Sequence, residues 1–255
     1  MRNLRALLRL TALCAITTGY YLRWLGGWLF VFASPERAHA WRNQNFRRWA
    51  RSSARAIGLE IQVSNHPPEP GSLLIANHLS YIDVIVISSQ LDCAFVAKSE
   101  VARWPIVGLL CRSMDTIFVD RKLRTDLPRA MQLIQRTLDR GLGVVLFPEG
   151  TSSNGHALLP FKTSLLEAAA RNEVPVHYAR IAYVVPEGET PVEESVCWWG
   201  EMTFPDHLFR LLKMPSFHAK LAFGTEAIVE SDRRLLGAKL WSAVSSQLTP
   251  AAKEA

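Results

Sequence analysis

The stretch Ser72-Leu73-Leu74-Ile75-Ala76-Asn77-His78-Leu79-Ser80-Tyr81-Ile82-Asp83-Val84-Ile85-Val86-Ile87 decides the fold. It opens on an apolar run short enough for a buried strand and closes on a second apolar run. A histidine and a carboxylate thus sit at a strand-to-helix turn. On one continuous helix His78 and Asp83 would be about 500° apart, leaving their side chains about 140° from each other, so the turn itself must pair them. With Ser80 as N-cap, Asp83 falls at the third helical position and His78 stays outside the helix, free to fold back toward the carboxylate as a base toward its orienter. Ser80-x-x-Asp83 is equally a capping box, in which Asp83 only satisfies a free backbone N–H. Spacing alone leaves both readings open.

Beyond this stretch, short β-branched or apolar runs alternate with longer amphipathic ones from Ile57 onward. That pattern predicts an α/β fold, a mostly parallel central sheet flanked by helices. Strands are expected at 58–63, 72–76, 94–97, 116–119, 143–147, 174–185 and 217–223. Helices are expected around 105–112, at 126–140 and 163–171, and from 232 to about 248. Ligands bind beyond the carboxyl ends of strands in such sheets, and Asn77-His78, Lys98, Arg121 and Glu149-Gly150 all fall at those ends. Each alone is an ordinary polar strand end; their recurrence points to one site. Lys98 and Lys162 are further candidates for an anionic group on a substrate. Residues 186 to 216 read as loop, with the basic apolar run Leu208 to Lys213 serving either as membrane contact or as core.

The 255 residues are 49% hydrophobic and carry a net charge of +6, enough for one sizeable core and a preference for anionic partners. The four cysteines show no C-x-x-C spacing, so neither a metal site nor a disulfide framework is signalled. Leu10 to Ala33 is mostly apolar and aromatic, broken by Arg23 and by Gly26-Gly27 into pieces too short to span a bilayer. Basic residues flank it on both sides: Arg2, Arg5 and Arg9 before it, and Arg37, Arg42, Arg47, Arg48, Arg51 and Arg55 after it. The second cluster is interleaved with Trp41, Phe46 and Trp49. A re-entrant or interfacial hairpin is expected, with both ends on the cytoplasmic side and the second cluster on anionic headgroups. A single tilted span and a cleaved signal peptide are the alternatives. The chain then divides into a membrane-associated helical segment over 1–55 and a catalytic domain over 56–255. Nucleic acid is disfavoured, because the basic residues sit beside an apolar segment and no recognition motif is present.

Asn77-His78-x-x-x-x-Asp83, Phe118-x-x-Arg121, Phe147-Pro148-Glu149-Gly150-Thr151 and Val174-Pro175-Val176 resemble, in order and spacing, the four blocks of the glycerolipid acyltransferase family that includes 1-acylglycerol-3-phosphate acyltransferases. The resemblance covers about residues 72 to 185. It implies transfer of a fatty acyl group from acyl-CoA or acyl-carrier protein to the hydroxyl of a lysolipid, with 1-acylglycerol 3-phosphate giving phosphatidate as the leading acceptor. It further implies that His78 is the base, Asp83 its orienter and Arg121 the phosphate ligand, with Asn77, Glu149, Gly150 and Thr151 at the acceptor. No metal or cofactor beyond the acyl donor is implied. A histidine with a pKa near its ordinary ~6.5 suits deprotonation of an alcohol attacking a carbonyl. One position departs from the family pattern: Ser152 follows Thr151 where members acting on lysophosphatidate usually carry arginine. That brings another lysophospholipid or an amino-acid-based lysolipid into contention as acceptor. A lipid hydrolase is the competing chemistry, weakened by the lack of a G-x-S-x-G elbow. A non-catalytic membrane-binding protein would leave the strand-end groups unexplained.

Overall fold

The computed structural model describes residues 1–31, 34–120, 123 and 126–246. In chain order the elements are α1 (Arg2–Val31), α2 (Pro35–Ile57), β1 (Leu59–Ser64), β2 (Leu73–Ala76), α3 (Ile82–Ser88), β3 (Cys93–Lys98), α4 (Val107–Ser113) and β4 (Ile117–Val119). There follow α5 (Asp126–Asp139), β5 (Gly143–Leu146), α6 (Glu167–Arg171), β6 (Val176–Val184), α7 (Val192–Ser195), α8 (Phe204–Lys213), β7 (Phe217–Phe223) and α9 (Arg233–Ser246).

The seven strands form one sheet in the order β1-β7-β6-β2-β5-β3-β4, parallel except where β6 meets β7. Strand β2 is central, and all four of its residues are buried, which is why it reads as an unbroken apolar run and not as an alternating one. Its period of two still operates. Leu74 and Ala76 enter one core with Ala54, Ile82, Val86 and Leu211, while Leu73 and Ile75 enter the other with Ala130, Ile134, Leu166 and Leu236. Helices α2, α3 and α8 therefore cover one face of the sheet, and α5 and α9 the other. Because β2 pairs with β5 and β6 in parallel and β3 pairs with β5 and β4 in parallel, the carboxyl ends of all five strands lie along one edge.

The N-terminal segment corrects the reading of the glycine pair. Helix α1 runs without interruption through Gly26-Gly27, and α2 opens on its N-cap Ser34, whose hydroxyl accepts from the Arg37 N–H. A Cβ on Gly27 would collide with the Trp41 indole, so this glycine serves close approach of the two helices. Arg23 lies over the Trp41 ring at 4.5 Å. Several basic side chains expected at headgroups are occupied within the fold. Arg42 pairs with Asp115, Arg47 with Asp92 at 2.9 Å, and Arg51 Nε donates to the Ser89 carbonyl. Arg5 and Arg9 donate to the carbonyls of Lys213, Met214 and Pro215, at and just beyond the α8 C-terminus. Among the described residues, no helix is long and apolar enough to cross a membrane.

The stretch expected as loop contains α7 and α8, and Leu211 and Leu212 are fully buried. The core reading of that run therefore holds for these two side chains. We expect Gly27→Val to destabilise the protein by about 1–3 kcal/mol through overpacking against Trp41, measured as a lower denaturant midpoint at unchanged slope. The adjacent Gly26→Val, where a Cβ meets nothing, should cost far less.

Candidate active site

His78 emerges from the carboxyl end of β2 and Asp83 lies in the first turn of α3. The turn brings His78 Nδ1 to 2.7 Å from Asp83 Oδ2, so Nδ1–H donates to the carboxylate and Nε2 is left to the cleft that His78 lines. The same Oδ2 accepts the backbone N–H groups of Leu79 (2.7 Å) and Ser80 (3.0 Å), while Oδ1 accepts the Tyr183 hydroxyl at 2.6 Å. Asp83 is wholly buried, and these four donors replace the water it has lost. Burial pushes the Tyr183 phenol well up, so it stays protonated and donates.

The two readings of Asp83 thus merge. Helix α3 has Tyr81 as its N-cap with no side-chain cap bond, and the Ser80 hydroxyl, also buried, makes no hydrogen bond among the described residues. Only the returning half of the capping box is present, from Asp83 to the Ser80 N–H. One carboxylate caps the helix and orients the imidazole.

The Phe147 ring stacks on the His78 imidazole with centroids 4.2 Å apart and planes 14° apart, fixing the ring from its flat side. Glu149 is buried at 2% exposure, and its two oxygens accept from the His78 N–H (2.6 Å) and the Leu159 N–H (2.9 Å). Burial pushes its carboxyl up, and those two N–H bonds oppose the shift. These two bonds hold the turn that carries His78. The Asn77 amide donates to the Ile181 carbonyl (2.9 Å) and accepts from the Ile181 N–H (2.7 Å), clamping β2 to β6. Gly150, at φ +77°, lets the chain turn sharply beneath the cleft it lines, and Thr151 and Lys98 line the same cleft and are exposed. Lys162 lies on the wall of a neighbouring cavity of about 380 Å³ that shares Phe147 and Gly150 with the first. Arg121 lies outside the described residues.

The cleft has a volume of about 330 Å³ and is walled mainly by apolar groups, among them Phe95, Val101, Trp104, Val107, Met114 and Trp198. It suits a hydrocarbon chain leading to an imidazole. Three contributors were not visible in the motif pattern. Tyr183 holds the second Asp83 oxygen from β6, and the Trp198 backbone N–H donates to the Leu79 carbonyl at 2.8 Å. His207 of α8 accepts from the Tyr81 hydroxyl at Nδ1 (3.0 Å) and donates from Nε2 to the Cys197 carbonyl (3.0 Å). A buried tyrosine needs a partner for its hydroxyl, and that was the available signal for Tyr183. For His207 no local signal existed.

Residues 59–182 match the family model described as Acyltransferase. The chain is 35% identical over 222 residues to the lyso-ornithine lipid O-acyltransferase of Rhizobium meliloti, covering 79% of this chain and 75% of that protein. It is 29% identical over 241 residues to the 1-acyl-sn-glycerol-3-phosphate acyltransferase of Neisseria gonorrhoeae, covering 91% and 90%. The crystal structure of the 1-acyl-sn-glycerophosphate acyltransferase of Thermotoga maritima shares the fold, with a TM-score of 0.68 at 21% identity over 97% of this chain and 98% of that one.

Tyr183→Phe leaves a buried carboxylate oxygen without its donor and should cost about 1–3 kcal/mol of stability, read from urea denaturation, together with a fall in kcat. Burial lowers the His207 pKa to about 4, whereas an unfolded histidine titrates near ~6.5. Between these values the unfolded chain binds a proton that the folded chain does not, so stability is present above ~6.5 and is lost as pH falls toward 4. A loss on the order of 3 kcal/mol follows, and thermal melts of His207→Gln should show a flatter acid limb than wild type.

Proposed function

Since this chain belongs to the acyltransferase family and is an O-acyltransferase acting on a lysolipid, we propose that it acylates a lyso-ornithine lipid at the cytoplasmic face of the membrane, drawing the acyl group from acyl-CoA or acyl-carrier protein. The observation that carries the acceptor assignment is Ser152. Its hydroxyl donates to the Trp198 carbonyl at the position where arginine is usual in relatives acting on a phosphomonoester, so the third block brings no guanidinium to the acceptor. The R. meliloti relative, whose name specifies a lyso-ornithine lipid, points the same way. The phosphomonoester acceptor is the second reading, supported by the N. gonorrhoeae relative.

In this mechanism Nε2 of His78 takes the proton of the acceptor hydroxyl as its oxygen attacks the thioester carbonyl. Asp83 stabilises the imidazolium that forms. The tetrahedral intermediate then collapses, the carbon–sulfur bond breaks, and the leaving thiolate recovers the proton from His78. The acyl group moves directly between substrates: Ser80 is wholly buried and does not line the cleft, which speaks against an acyl-serine intermediate. The donor is consumed as a substrate, and no cofactor enters. Lys98, exposed on the cleft wall, is suited to an anionic group of either substrate. The apolar side chains Leu4, Leu7, Leu8, Leu22 and Leu25, exposed along α1, are suited to seating the enzyme on a membrane.

Acyl transfer by membranes carrying the protein would be measured with both donors and with lyso-ornithine lipid, 1-acylglycerol 3-phosphate and lysophosphatidylethanolamine as acceptors. We expect lyso-ornithine lipid to be preferred and His78→Ala to lower transfer by about 10²–10⁴-fold. Ser152→Arg should raise relative use of 1-acylglycerol 3-phosphate. A wild-type preference for the phosphomonoester would overturn the acceptor assignment, and full activity in folded His78→Ala would overturn the base.

A further inference from the structure

The segment that forms one rim of the catalytic cleft is apolar, exposed and tightly built. Ala102-Arg103-Trp104-Pro105-Ile106-Val107-Gly108-Leu109 enters α4 through a three-residue turn in which the Val107 N–H donates to the Pro105 carbonyl at 2.6 Å. Ile106 at its apex has φ +62° and ψ −57°, the strained form of that turn and a region β-branched residues avoid. Its side chain is nevertheless 71% exposed, and Leu109, one helical turn on, is 45% exposed. The turn is firmly held: the Gly108 N–H donates to the Trp104 carbonyl at 2.9 Å, and a Cβ on Gly108 would collide with the Ala102 carbonyl.

Two tryptophans mark the boundary of this patch. Trp104 and Trp199 both line the cleft and both remain partly exposed, at 37% and 39%. A tryptophan buried on one side and wet on the other is the residue of a bilayer headgroup layer. Charge is arranged to match. Lys98, Arg103 and Arg112 are exposed around the patch, and Glu100 is the one acidic residue between 98 and 113.

Resting on the reading of this chain as a lysolipid acyltransferase, we propose that the Trp104–Leu109 rim is a lipid-contact surface, separate from α1, that seats on an anionic bilayer and delivers the acceptor to His78. Ile106 and Leu109 enter the acyl layer, Trp104 and Trp199 lie at headgroup level, and the lysolipid passes from the leaflet into the cleft between those tryptophans without crossing water. Neither Ile106 nor Leu109 lines the cleft, so their contribution is to the encounter with the membrane and not to the chemistry.

The test compares wild type with Ile106→Ser/Leu109→Ser on one acceptor in two physical forms: embedded in vesicles of phosphatidylglycerol and phosphatidylethanolamine, and as a short-chain lysolipid dispersed as monomers. With acyl-CoA as donor, we expect the variant to lose about tenfold or more on vesicles while its rate on the monomeric acceptor stays within about twofold of wild type. Ile106→Trp/Leu109→Trp, which keeps an apolar rim, should retain the vesicle rate. Equal rates of wild type and serine variant on both forms would overturn the proposal. Equal loss on both forms would also overturn it, by making the two residues supports of the cleft. Loss confined to acyl-carrier protein as donor would reassign the patch to that protein. Absence of acyl transfer by wild type on both forms would instead count against the lysolipid acyltransferase reading itself.

Discussion

The catalytic turn depends on the buried Asp83 carboxylate being fully satisfied. An ionised carboxylate removed from water is expensive, by several kcal/mol even after relaxation, unless hydrogen bonds replace its hydration. Asp83 has four such bonds, from the His78 ring, two backbone N–H groups and the Tyr183 hydroxyl. Three of those four donors belong to the turn itself, so keeping the carboxylate charged and folding the turn are one event. The backbone groups of His78, Leu79 and Ser80 are all paired as well. His78 N–H goes to Glu149, His78 C=O takes Ser153 N–H, Leu79 C=O takes Trp198 N–H and Ser80 C=O takes Asp83 N–H, while the N–H groups of Leu79 and Ser80 go to Asp83. If His78 acts as the proposed base, it reaches the reaction with its orientation already fixed, which is where much of an enzyme's advantage over solution lies.

That turn can only exist on this topology. Its partners come from β2, β6, the segment after β5 and the stretch before α8, and the parallel pairing of β2 with both β5 and β6 brings them to one edge. Asn77 holds the junction with two hydrogen bonds to a single residue of β6, and two residues farther along that strand Tyr183 reaches Asp83. The period of two places Ile181 and Tyr183 on the same sheet face, the one covered by α3. Register between β2 and β6 therefore matters doubly: a slip of one residue would turn Tyr183 away from Asp83.

How much of this was legible follows from the range over which each signal acts. The strands at 72–76 and 143–147 announced themselves as apolar runs and that at 217–223 by alternation, and the α/β pattern led to a mostly parallel sheet and its functional edge. His78 and Asp83 were legible as a pair because five residues of local chain join them. The roles of Asn77 and Glu149 were not, because their partners Ile181 and Leu159 lie far from them in sequence or on an irregular loop. A polar residue at a strand end looks the same whether it faces a substrate or a neighbouring backbone. His207 and Trp198 are the extreme case: they lie more than a hundred residues from the turn, and only the folded chain brings them to it. Gly26-Gly27 misled for a related reason. A glycine lowers helix propensity by about 1 kcal/mol, yet packing of Trp41 against Gly27 compensates in the hairpin, where tertiary contact outweighs local preference.

The basic N-terminal region shows why charge counts are poor guides to surfaces. Read along the chain, the arginines form two clusters flanking an apolar run, the second of them suited to anionic lipid. In the fold, Arg5, Arg9, Arg42, Arg47 and Arg51 each find a carbonyl or carboxylate of the catalytic body, and Ala50, Ala54 and Ile57 enter its core. The hairpin is therefore fastened to the body by the very groups that seemed to point away from it. Inward arginines tie the helices to the body, so the leucines exposed on α1 stand in a defined relation to His78. Under the proposed seating on a membrane, contact through α1 would orient the cleft as well as tether the protein.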